Sequence, residues 1–197
     1  VAALPYAWSL SSERRSGLAS QMLSRTKHRN YYIAKSVAVF LSSGTVVAVP
    51  LVINFLVCSC FLPLYVPDVF DVVYYGVYED CMWSEVFYTA PIVYCVLLTT
   101  SSFVFAGLWA NATSAISIIV RNRLTFTVVP FLILLVLEYL NVTVLSGFEV
   151  VAITPIEYLR GAGTPLVANG WVVLAEYLFL LILSSLAFFY LNKRDVL

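Results

Sequence analysis

The sequence predicts an all-α membrane protein: four transmembrane helices, an N-terminal cytoplasmic amphipathic helix of the coupling type, and short helices in the outer loops. Three observations lead there. The 197 residues are 61% hydrophobic and only 11% charged, whereas a soluble domain carries about 25% charged residues. Too little polar surface is left to cover a water-soluble globule. Four segments are apolar over the roughly 20 residues that a helix needs to cross a bilayer core. The charges are also sorted along the chain by sign. No segment alternates apolar and polar residues over about ten positions, which disfavours a β-barrel. Helices, by contrast, satisfy their backbone groups internally, as hydrocarbon demands.

Taken in order, Val1 to Leu10 is short, holds Pro5 and has no basic region before it, so it does not read as a signal peptide. Its start at Val rather than Met points to a leading part outside this sequence. Residues 11–32 are polar, basic and amphipathic. Leu18, Met22 and Leu23 form a helical stripe, with Arg14, Arg15, Arg25 and Arg29 elsewhere on the wheel. Ser11 or Ser12 can cap such a helix, Glu13 suits its first turn, and Arg25, Lys27 and Arg29 suit its last. A helix of this kind lies on a membrane surface or presses on a cytoplasmic partner.

The first span is expected over 36–62, entered at Lys35, with Gly44 inside it and a kink near Pro50. An outer loop follows to Ala90. Its Tyr65, Tyr74, Tyr75, Tyr78, Trp83, Phe87 and Tyr88 suit an interfacial belt. The second span, 91–120, turns small and polar from Gly107 to Ser117. Such residues let membrane helices approach closely, so this face is expected to pack on another helix. The third span, 124–148, carries Pro130 and Glu138. In the next outer loop a short helix should start at Pro155 and end at Gly161 or Gly163. The fourth span, 172–191, carries Glu176 and runs out into Lys193 and Arg194. We read one domain over 1–197.

Ten of the eleven basic residues then fall on one side, with Arg160 opposite. Asp68, Asp71, Glu79, Asp80, Glu85, Glu149 and Glu157 occupy the other side. The basic side is read as cytoplasmic, which puts the N-terminal helix and the C-terminus there and makes the chain a multi-pass protein of the cell membrane. On the opposite, oxidising face Cys81 has two readings: a bridge to Cys60 or Cys95, or a buried thiol.

Glu138 and Glu176 are the residues whose position calls for a reason, because an ionisable group in lipid costs roughly 2.5–3.5 kcal/mol. With Asn111 they are the expected pathway residues; the alternative for Glu176 is snorkelling at the membrane boundary. Asn111-Ala-Thr113 and Asn141-Val-Thr143 match the glycosylation pattern but fall inside spans. The sole histidine, His28, sits in a basic run, which leaves no histidine pair for a metal and no triad. Gly161-Ala-Gly163 is not a phosphate loop. No enzyme activity, cofactor, metal or nucleic-acid partner is expected.

Glu13-Arg14-Arg15-Ser16-Gly17, then Leu23-Ser24-Arg25, then Tyr32 and Lys35 resembles the cytoplasmic loop of ABC-2-type transporter permeases. The small-residue second span ending at Arg121-Asn122-Arg123, and the run Thr154-Pro155-Ile156-Glu157-Tyr158-Leu159, resemble later elements of the same family. The resemblance implies a six-span subunit of which two N-terminal spans precede this chain. It also implies a second permease subunit and a separate cytoplasmic ABC ATPase. Glu13, Arg14, Gly17, Leu18, Met22 and Leu23 would couple to that ATPase. Two other classes stand beside it: a non-transporting scaffold or regulator that binds a partner through its basic helix, and an intramembrane enzyme.

Overall fold

The computed structural model describes residues 13, 16, 21–22, 28–62, 65–68, 70, 72–79, 81–116, 123–145, 154–161 and 169–194. Among the described residues the protein is all-helical. Helix α1 is His28–Phe61, α2 Val72–Tyr75, α3 Ser84–Thr89, α4 Pro91–Ile116 and α5 Arg123–Leu140. A π-helical turn, Asn141–Leu145, continues α5. Helix α6 is Pro155–Arg160 and α7 is Gly170–Arg194. Among the described residues two stretches are long and apolar enough to cross a membrane: Asn30–Phe61 in α1 and Pro91–Ser114 in α4.

The start of α1 differs from the expected boundary. Residues 28–32 belong to α1 rather than to the separate amphipathic helix expected over 11–32. Tyr32, Lys35, Val39 and Ser43 are all buried, and their spacing of three and four residues makes one continuous helix face. Breaking the helix at Lys35 would split that face. Ser16 lies in a turn, and its hydroxyl donates to the Glu13 carbonyl at 3.2 Å. Glu13, Gln21 and Met22 of the same segment are helical. The third apolar segment likewise leaves α-helical geometry at Asn141, earlier than residue 148. The α-helices run through Pro50 and Pro130.

The chain divides into two compact units. The first draws on Val1–Val47, Phe103–Phe131 and Tyr177–Leu197. Its centre is the crossing of α1 and α4. Phe40 and Phe103 meet edge to face, with ring centroids 5.6 Å apart. Each ring also lies over a glycine of the other helix, Phe40 over Gly107 and Phe103 over Gly44. Both helices thus carry Phe-x-x-x-Gly, run antiparallel, and place the ring of one in the gap of the other. Ala106, Ala110, Ala112, Thr113 and Ser114 are buried along α4; the small face was expected from 107 to 117. From α7, Tyr177 packs on Phe105 at 6.2 Å, and Leu180 and Ser184 are buried.

The second unit draws on Ala48–Ser102 and Leu132–Glu176. Helix α6 is placed by its ends. Pro155 opens it, where a missing N–H costs nothing. Gly161 closes it with φ +76°, a left-handed conformation suited to glycine. The Gly161 carbonyl then accepts the Tyr94 hydroxyl of α4 at 2.6 Å. Phe87 gathers Tyr75, Tyr88 and Tyr94 edge-on at 5.1–6.0 Å. Tyr88 donates to the Val77 carbonyl at 2.7 Å, which ties α3 to the turn after α2. No disulfide joins Cys58, Cys60, Cys81 and Cys95.

Candidate functional site

Each unit contains a buried polar grouping. In the first unit Glu13 is bound to α1. Lys35 Nζ donates to Glu13 Oε1, and Tyr31 Oη donates to Glu13 Oε2 at 2.7 Å. Lys35 is 6% exposed. An ammonium so deep is costly without a counter-charge, so Glu13 is held where the Lys35 side chain emerges. Met22, by contrast, is exposed. Arg14, Gly17, Leu18 and Leu23 lie outside the described residues. Asn111 is buried in α4, and its Oδ1 has no donor among the described residues. Thr113 and Ser114 beside it return their hydroxyls to the α4 backbone at 2.9 and 2.8 Å.

In the second unit Glu138 and Glu176 meet consecutive residues of α6. Tyr158 donates to Glu176 Oε2 at 2.9 Å. Glu138 lies within hydrogen-bonding reach of Glu157. One turn along, Asn141 Nδ2 donates to Thr154 Oγ1 at 2.7 Å. Asn141 and Thr154 are almost wholly buried, and so is Glu157. Burial raises the Glu157 carboxyl above its ordinary 4.5; Glu138 pushes it the same way and Arg160 opposes. Glu138 Oε2, Asn141 Oδ1 and Glu157 Oε2 lack donors among the described residues. Acid–acid contact, a buried amide and a tyrosine-bound carboxylate therefore gather around one six-residue helix.

No family model, curated protein or solved structure matches the chain.

Of the three expected pathway residues, Glu138 and Glu176 share α6 as their partner, while Asn111 belongs to the other unit. Sequence reasoning missed the role of Glu157, read as a loop acid within the Thr154–Leu159 run, and of Asn141, considered only as a glycosylation pattern. A signal was present: Glu138 and Asn141 are three residues apart, as are Thr154 and Glu157. Spacing of that kind puts each pair on one helix face, although nothing local says that the two faces meet.

Proposed function

We propose that this chain is a membrane-embedded permease subunit of an ATP-driven ABC-2-type exporter, coupled to a separate cytoplasmic ATPase. The observation that carries the reading is the bond from Glu13 to Lys35 and Tyr31. It ties the basic N-terminal segment to the helix that enters the membrane. A push on that segment is thereby delivered to α1, as rigid-body coupling of domains requires. The exposed Met22 offers an apolar contact for a partner on the same segment.

The shorter apolar stretches Val128–Thr143 of α5 and Gly170–Leu186 of α7 stand for the third and fourth spans. Helix α7 has 25 residues, about 37 Å at helical rise, which exceeds a hydrocarbon core of roughly 30 Å. Helix α5 with its π-turn adds 18 and 5 residues. The basic residues orient the N-terminal segment and the C-terminus to the cytoplasm. Two such subunits would form the path, and two ATPases would drive them.

The test is co-purification of the full-length protein, extracted gently. An ATPase bearing Walker motifs should be retained, and Glu13→Ala should weaken its retention at least severalfold while membrane insertion is unchanged. Retention of some other cytoplasmic protein would favour the scaffold reading. An ATPase that binds the variant as well as the parent would remove Glu13 from the coupling path.

A further inference from the structure

The crossing of α6 with the end of α5 has two rungs. One is the Asn141–Thr154 hydrogen bond, between side chains 2% and 1% exposed. The other lies three residues earlier on one strand of the crossing and three later on the other, where Glu138 meets Glu157. The first rung is satisfied: a donor meets an acceptor. In the second, Glu157 is 5% exposed, and an oxygen of each carboxylate has no donor among the described residues. Two hydroxyls on or against α6 are engaged elsewhere. The Tyr158 hydroxyl is given to Glu176, and the Tyr94 hydroxyl to the Gly161 carbonyl. Arg160, on the same helix as Glu157, relieves the charge only in part.

Two ionised carboxylates in contact repel, and neither can donate to the other. A single added proton removes both difficulties. It forms an O–H bond on one carboxyl, which donates to the carboxylate opposite, and the pair's charge falls from two negative to one. We propose that Glu138 and Glu157 form a proton-binding site that takes up one proton from solution and uses it to fasten α6 to the end of α5. The proton belongs to the pair rather than to either residue. Loss of it leaves two like charges face to face at the second rung, and α6 is then held there by Asn141–Thr154 alone. This site does not depend on the transport reading.

The direction of the pH effect follows from linkage. A carboxyl pair that binds its proton more tightly in the folded state contributes stability fully at low pH. That contribution falls as pH rises from the ordinary glutamate value of 4.5 through the raised folded value, and is absent above it. A metal cation is the competing occupant, since it could recruit the orphaned Asn141 Oδ1 as well.

The experiment is thermal unfolding of the full chain in detergent between about pH 5 and pH 8, with Glu176→Gln as the parent so that the carboxyl held by Tyr158 is removed, and with Glu138→Gln or Glu157→Gln added to it. The parent midpoint should fall by roughly 3–5 °C per pH unit within the window of the pair. Glu138→Gln and Glu157→Gln should flatten the profile, because the amide supplies the missing donor at every pH. Infrared spectra of the parent should show a protonated carboxyl that titrates over the same window and is lost in Glu157→Gln. Should either glutamine variant fail to fold, the parent's infrared titration decides alone. A flat parent profile with no titrating carboxyl overturns the site, as does a slope unchanged by Glu157→Gln. A midpoint raised by calcium or sodium chloride in the parent but not in Glu157→Gln overturns the proton in favour of a cation.

Discussion

Gly44→Ala places a methyl group where the edge of Phe103 already lies. An added Cβ would stand 2.6 Å from Phe103 Cε2, 2.7 Å from Cδ2 and 2.9 Å from Cζ. Ordinary contact begins near 3.4 Å, so the ring must retreat by about 0.8 Å. Phe103 is not free to do so alone, because it stands edge-on to Phe40, and Phe40 in turn covers Gly107. Overpacking of this kind costs about 1–3 kcal/mol. Replacing a helical glycine returns up to about 1 kcal/mol of intrinsic helix stability. The expected net loss is thus about 1 kcal/mol, and somewhat more for Gly107→Ala, whose Cβ would press closer still on the Phe40 ring. The assay is unfolding in mixed micelles, read by circular dichroism and by the fluorescence of Trp109, which stacks on Phe105 in the same unit. Phe103→Leu should tolerate Gly44→Ala with little further loss, giving a coupling energy of about 1 kcal/mol in the double-mutant cycle. A Gly44→Ala protein as stable as the parent, or a cycle with no coupling, would refute the reciprocal packing of α1 and α4.

Two further outcomes follow from the second unit. Gly161→Ala forces a side chain into φ +76° and against Leu98 Cδ1 at 2.9 Å; a loss of about 2 kcal/mol is expected, measured by the same unfolding assay. Thr154→Val leaves the buried Asn141 amide without its acceptor and should cost about 1–3 kcal/mol; adding Asn141→Leu should recover part of that loss, and no recovery would mean that the two side chains do not depend on each other.

Two segments long and apolar enough for a membrane, Asn30–Phe61 and Pro91–Ser114, and the helical class of the described residues could be read from order and composition alone. Hydrophobic length is a local quantity, and hydrocarbon accepts few backbone forms other than the helix. Helix α6 was legible for a similar reason: Pro155 and Gly161 act through their own backbone angles, whatever surrounds them. The Phe-x-x-x-Gly pattern at 40–44 and again at 103–107 was present as well. Small residues from Gly107 onward predicted a packed face, but not that Phe40 would cover it.

The buried acid pair depended on the packing of distant segments. Glu138 calls for explanation in any apolar segment, whereas Glu157 reads as one more loop acid until α6 buries it. Tyr94 and Gly161 are 67 residues apart, and no periodicity reaches across such a distance. Glu13 belongs with these, since its charge suited a helix start, yet its bonds are to Tyr31 and Lys35, 18 and 22 residues on. Propensity, hydropathy and capping act over a few residues. A hydrogen-bond partner or a ring in a glycine gap is chosen only when remote segments pack, and there the cost of an unpaired buried group selects what can meet.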